Sequence, residues 1–264
     1  MDDTYPIYLS RLAQMALSQA YHNQVQSVQA STKFHHSPSG SAQAASVPGY
    51  TIITPPQSDE SINSQFYLQL ETYQQKLLAL DFGADLMVSL PLASFHLTLA
   101  DLIVGSAYEN ACDRDANYEV NLRTCIEKIF KQYQQQYPQP QAPIKWRMQS
   151  LIVMPRAIGV ALAPESLDDY EQIINFRRLI YQSSELAALG IAQQYHFTAH
   201  VTLAYFKPIP VDLNRDRVAE LLAHLNQSWL NTMPEFIVDQ AELRKFDDMN
   251  SFYRQPDWTK VNFG

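Results

Sequence analysis

Apolar residues recur along this chain at two periods, and the switches between them outline its elements. Residues 4 to 25 carry Ile7, Leu9, Leu12, Met15, Ala16 and Leu17 at partly helical spacing, and residues 26 to 48 then turn rich in Ser, Gln, Ala and Pro. A helix over 1–25 and a flexible linker over 26–48 are therefore expected ahead of an ordered domain over 49–264. Tyr50-Thr51-Ile52-Ile53-Thr54 reads as a strand stopped by Pro55-Pro56. A helix is expected at 60–80, with Phe66, Leu70, Tyr73, Leu77 and Leu80 along one stripe. A strand at 85–90, a turn at Pro91 and a second apolar strand come next.

Farther on, residues 118–136 read as a Gln-rich amphipathic helix closed by Pro138 and Pro140. Residues 145–154 and 157–163 read as two strands joined at Pro155-Arg156, a hairpin by turn chemistry. A helix at 165–189 ends at Gly190, a strand runs over 197–206, and a helix at 213–230 leads to strands at 235–245 and 251–258. Periodicity by itself gives a mixed α and β chain of the α+β class. The order of helix, strand-turn-strand and helix occurs twice.

Within the two central strands the sequence repeats a short unit: His96-Leu97-Thr98-Leu99 and, 104 residues later, His200-Val201-Thr202-Leu203. Strand side chains alternate faces, so the His and Thr of each unit project together while Leu97, Leu99, Val201 and Leu203 project toward a core. An imidazole titrates near neutral pH and gives or takes a proton, and a hydroxyl two residues away can hydrogen-bond an oxyanion. Two such units supply one acid, one base and two hydroxyls to a single cleft, provided that environment sets the two protonation states apart.

Those residues resemble the 2H phosphoesterase superfamily. Ser94-Phe95-His96-Leu97-Thr98-Leu99-Ala100 looks like its first motif. Phe197-Thr198-Ala199-His200-Val201-Thr202-Leu203-Ala204 is similar to its second, with Ala199 where a Pro often precedes the His. The resemblance covers roughly residues 48 to 250 and rests on two short motifs and their order. It implies a bilobal, pseudo-symmetric fold in which two antiparallel sheets face a central cleft with helices outside. It also implies a metal-independent hydrolase of cyclic phosphodiesters, needing no cofactor, with His96 and His200 catalytic and Thr98 and Thr202 binding substrate. The expected ligand is a small 2′,3′-cyclic nucleotide or an RNA terminus. A bacterial branch of the superfamily is expected, and RNA end processing is a neighbouring outcome. A nucleotide-binding or sensing module using the same cleft without turnover is the alternative. A further rival is an interaction protein whose N-terminal helix and Gln-rich surfaces recruit a partner.

His196-Phe197-Thr198 is a competing H-x-T in the same parity as His200. His200 is preferred because the longer apolar stretch Leu203-Ala204-Tyr205-Phe206 lies just beyond it, whereas His196 sits near the strand's start. On a strand the two rings stand about 13 Å apart, too far to share one zinc. Taken singly, each His is better read as a hydrogen-bonded structural residue; only the duplication reverses that. His22, His35, His36 and His224 lack such a context. Tyr205, Phe252, Tyr253 and Trp258 offer rings to a base, and Lys207 or Arg156 a charge to phosphate, but aromatic-rich strands usually pack a core. Tyr205 and Lys207, opposite in parity to His200, are expected to point away from the cleft unless a bulge intervenes.

Composition narrows the picture further. The chain has 264 residues, 46% of them hydrophobic, enough for a sizeable core. No apolar run approaches the ~20 residues that span a bilayer, and Met1-Asp2-Asp3 lacks a signal peptide's basic start, so a cytoplasmic protein away from membranes is expected. Cys112 and Cys125 have no metal-like spacing and read as reduced thiols. A net charge of −8 with scattered Lys and Arg leaves no visible basic face, which argues against an extended nucleic-acid surface. A monomer is expected.

Overall fold

In the computed structural model, which describes residues 2–36, 42–59, 62–138, 143–228 and 234–263, the N-terminal segment forms two helices, α1 (Tyr5–Met15) and α2 (Ser18–Gln26). Extended backbone at Leu17 (φ −71°, ψ 144°) separates them. Tyr8, Leu12, Tyr21 and Val25, each at most 1% exposed, anchor both helices in the core. A short hairpin comes next, β1 (Phe34–His36) and β2 (Ala42–Ala44), whose connecting residues 37–41 lie outside the described ones. Where one helix and a linker are expected, the chain is held by backbone bonds: Gln29 N donates to Pro155 O (2.7 Å), Ser31 N to Phe206 O (2.9 Å) and Val47 N to Asp247 O (2.8 Å).

The body continues through β3 (Gly49–Ile53), α3 (Ser64–Leu78), β4 (Met87–Ser89), β5 (Thr98–Val104), α4 (Ser106–Arg114) and α5 (Tyr118–Gln136). Phe66, Leu70, Tyr73 and Leu77 form the buried stripe of α3, as their spacing predicts. The sequence reading does not anticipate α4: Tyr108 is its one buried residue, so it carries no stripe to detect. Next come β6 (Ile144–Val153), β7 (Ala157–Pro164), α6 (Leu167–Tyr181), α7 (Ser184–Ala188), β8 (His200–Phe206) and α8 (Arg215–Gln227). The single helix expected at 165–189 is two, because Ser183 Oγ accepts from Leu186 N (3.3 Å) and caps a new start. Pro140 and the last residues of the helix expected at 213–230 lie outside the described residues. The chain closes with β9 (Phe236–Val238), β10 (Gln240–Phe246), β11 (Phe252–Tyr253) and β12 (Lys260–Asn262).

Two five-stranded antiparallel sheets result. One runs β11-β10-β3-β5, with β12 also paired to β10; the other runs β4-β8-β7-β6-β9. The strand expected at 235–245 divides at Asp239, sending β9 to pair with β6 and β10 to pair with β3. Every residue of β7 is buried, as a central strand covered on both faces requires. Helix α6 touches β5 of one sheet and β6 and β7 of the other, and α1 packs on β6, β7 and α6.

Both strands carrying the repeated unit are bulged at the same place. In β5 the partners of Ile53 and Ile52 are Thr98 and Ala100, so Leu99 is extra; in β8 the partners of Gly159 and Ile158 are Thr202 and Ala204, so Leu203 is extra. An extra residue breaks the two-residue alternation and turns the next side chains onto the other face. Gly159 is required at the second bulge, since a Cβ there would fall 2.5 Å from Val201 O.

Candidate functional site

His96 lies two residues before β5 and His200 opens β8, and the apolar residues that alternate with the His and Thr are locked in the core: Leu97, Leu99, Val201 and Leu203 are 0% exposed. That burial leaves His96, Thr98, His200 and Thr202 half-buried, and all four line one cavity of about 480 Å³. A cavity of this size is in the range of small-molecule sites. The cavity walls come from both sheets, with Tyr50 and Thr51 on β3, Phe246 on β10, Phe252 on β11 and Tyr205 on β8.

The two rings are held alike. His96 Nδ1 bonds Ser94 O at 2.7 Å, and His200 Nδ1 bonds Thr198 O at 2.7 Å. A carbonyl oxygen only accepts, so Nδ1 carries the hydrogen in each ring and Nε2 is the nitrogen left to exchange a proton. Each carbonyl is itself fixed. Ser94 is buried and its hydroxyl donates to Pro91 O (2.8 Å), while Leu97 N donates to Thr54 Oγ1 (3.0 Å). Around the second ring, Arg11 donates to Thr198 Oγ1 and to Phe197 O (2.6 Å), and Ala199 N donates to Tyr8 Oη (3.1 Å). Helix α1 thus supports the backbone that orients His200.

Burial pushes His96 down to about 4, with positive charge at His200 and Arg244 adding to the shift and the Ser94 carbonyl opposing it. His96 is therefore neutral at pH 7. The ring of Phe252 packs edge-on against it at 4.3 Å between centroids. Desolvation at the cavity wall raises the carboxyl of Asp101 above its ordinary value, against the opposing influence of His200, Arg177 and Lys33.

One expectation needs correction. Tyr205 lines the cavity, because the bulge at Leu203 reverses its parity; its ring also packs against Phe34 at 5.6 Å. Lys207 is engaged elsewhere, paired with Asp85 at 2.5 Å. Trp258 packs against Tyr50 at 5.6 Å, Tyr253 Oη donates to Asp247 (3.2 Å), and neither lines the cavity. Arg156 does not line the cavity either. His196 is 62% exposed beside Asp3 (3.3 Å) and is likewise absent from the cavity wall.

Sequence reasoning missed Asp101 and Lys33. The matching bulge at Leu99 places Asp101 on the cavity wall, in the position that Tyr205 occupies in the second unit. The shared five-residue pattern, His96-Leu97-Thr98-Leu99-Ala100 against His200-Val201-Thr202-Leu203-Ala204, was the available signal for that equivalence. Among the described residues, no group of three or more His, Cys, Asp or Glu has an arrangement that would hold a metal ion, and no helix is long and apolar enough to cross a membrane.

No protein-family model matches the sequence, and no curated protein matches it. Among solved structures, the chain is similar to the conserved protein of unknown function ATU0111 from Agrobacterium tumefaciens, with a TM-score of 0.54 at 15% identity over 81% of this chain and 86% of that one. That likeness is one of fold. Escherichia coli LigT also matches: its complex with 3′-AMP has a TM-score of 0.42 at 13% identity, covering 83% of this chain and 99% of that one. The apo form of LigT has a TM-score of 0.40 at 14% identity, covering 83% and 96%.

Proposed function

We propose that this chain is a metal-independent 2H-type phosphodiesterase that hydrolyses cyclic phosphodiesters, a 2′,3′-cyclic nucleotide or RNA end, to a monophosphate. His96, held neutral, accepts a proton at Nε2 from the attacking water as its oxygen bonds to phosphorus. His200 donates a proton from Nε2 to the ribose oxygen whose bond to phosphorus breaks. The imidazoles leave the step with their protonation states exchanged, and proton exchange with water restores them. Thr98 and Thr202 donate hydrogen bonds to the non-bridging oxygens, where charge grows in the transition state.

The observation that carries this reading is the matched pair of Nδ1 bonds to Ser94 O and Thr198 O, which leaves two Nε2 atoms for proton transfer in one cavity. The matching bulges at Leu99 and Leu203 support the finer reading of the fold as two pseudo-symmetric lobes around a central cleft.

The test is incubation of the full chain with 2′,3′-cyclic mononucleotides in the presence of EDTA, with chromatography of the products. A single monophosphate isomer, formed at an undiminished rate, is expected. Tight binding with no product would instead favour a nucleotide sensor.

A further inference from the structure

The cavity between the two histidines has one Lys or Arg and one carboxylate among its described lining residues, Lys33 and Asp101. They come from different places. Asp101 lies on β5, three residues past Thr98, while Lys33 arrives on the N-terminal strap that crosses from one sheet to the other. The strap is tied to the end of β8 through Ser31 N and Phe206 O (2.9 Å). On the far side Val47 N donates to Asp247 O (2.8 Å) and Gly105 N to Pro48 O (2.7 Å). Lys33 is fixed within it: its N–H donates to Ser31 Oγ (3.1 Å), its carbonyl accepts from Ala45 N (2.9 Å), and the next residue, Phe34, is buried against Tyr205. Among the described residues its ammonium makes no hydrogen bond or ion pair.

An anion entering this cavity meets a protein of net charge −8 and needs a local cation. His96 is neutral at pH 7, and the proton on His200 is the one that the proposed step passes to the leaving oxygen, so Lys33 is the cation that persists through the step. Burial lowers the pKa of Lys33 and the charge of Asp101 opposes that fall, so the two groups sense one another without forming a close pair. A half-buried ammonium beside a carboxylate, with its donors unused among the described residues, is arranged to trade its counter-charge for a ligand's oxygens.

We propose that Lys33 is a cationic phosphate-binding residue of the cavity, acting beside Thr98 and Thr202, and that Asp101 is its counter-charge, which an incoming phosphoryl group displaces. The inference rests on the phosphodiesterase reading for the identity of the ligand as a nucleotide, but its charge logic holds for any phosphate bound there. The strap thereby supplies part of the binding site.

The test is isothermal titration of the full chain with inorganic phosphate and with 2′- and 3′-mononucleotides, in parallel with turnover of 2′,3′-cyclic mononucleotides. The variants are Lys33→Gln, Lys33→Arg and Asp101→Asn, each checked for an unchanged thermal melt. Losing a charge-assisted hydrogen bond should weaken the affinity of Lys33→Gln by about tenfold or more. Lys33→Arg, which keeps the charge, should restore most of it, and Asp101→Asn should bind phosphate more tightly than the parent.

Equal affinity in Lys33→Gln and the parent would overturn the proposal, as would a parent that binds neither inorganic phosphate nor a mononucleotide. Unchanged or weaker binding in Asp101→Asn would remove the counter-charge role. Binding that depends on Lys33 without any turnover would sink the catalytic reading and leave this one standing. Turnover with an unchanged KM in Lys33→Gln would do the reverse.

Discussion

The guanidinium of Arg177 pairs with the carboxylate of Asp2 at 2.8 Å, and both side chains are at most 4% exposed. The pair joins the two motif strands. Arg177 also donates to Leu99 O in β5, and Asp2 accepts from Phe197 N (2.8 Å), three residues before His200. Burial works to raise Asp2, but Arg177 and the bonds from Phe197 and Gln193 outweigh it and hold the carboxyl below its usual value.

Removing one partner leaves the other charge buried and uncompensated, which typically costs about 3–5 kcal/mol. Arg177→Met is therefore expected to lower unfolding free energy by that order in urea denaturation. A change below about 1 kcal/mol would mean that the pair does not tie the two strands together.

Tyr8 joins α1 to the same backbone, donating to Leu162 O (2.8 Å) while accepting from Ala199 N (3.1 Å). Tyr8→Phe leaves both buried groups unpaired, and a loss of roughly 1–3 kcal/mol is expected for each. Because Ala199 adjoins His200, kcat should fall while KM changes little. By the same contacts, removing residues 1–48 should abolish activity even on a small substrate, where a free linker would predict no change. Activity assays on purified truncated chain, with circular dichroism to follow folding, check this.

Gly159 faces Thr202 across the β7–β8 ladder with no room for a methyl group. Gly159→Ala is expected to destabilise by about 1–3 kcal/mol and to displace the second H-x-T unit, lowering turnover more than the melt alone would suggest. Unaltered turnover would contradict the close approach.

The pH dependence has a defined sign. His96 falls to about 4 in the folded chain from an ordinary 6.5, so between those values the unfolded chain binds more protons than the folded one. Stability should rise with pH across that window and be lost as pH falls through it. A base that stays neutral down to about 4 should also carry kcat/KM on its acid side to well below pH 6.5. An acid limb centred near 6.5 would assign the base elsewhere.

How much of this was legible in the sequence depends on which physical rule each residue obeys. The His-x-Thr units were readable because two-residue alternation puts His96 with Thr98 and His200 with Thr202. Beyond Leu99 and Leu203 that alternation fails, since a bulge depends on the partner strand, and so Asp101 and Tyr205 were hidden. The division at Asp239 was hidden for a related reason: β9 and β10 read as one strand although they belong to different sheets. In the N-terminal segment, polar composition masked a few widely spaced anchors, Tyr8, Tyr21, Val25 and Phe34, whose burial becomes evident only against β6, β7 and β8. Lys33 was lost with them.

The central claim is that two imidazoles in one cavity divide acid and base duties. The most direct measurement is kcat/KM on a 2′,3′-cyclic mononucleotide for His96→Ala, His200→Ala and His196→Ala, each with its fold verified. The first two should each fall by at least ~100-fold, while His196→Ala stays near the parent. Turnover retained in either His96→Ala or His200→Ala, or lost in His196→Ala, would contradict the account.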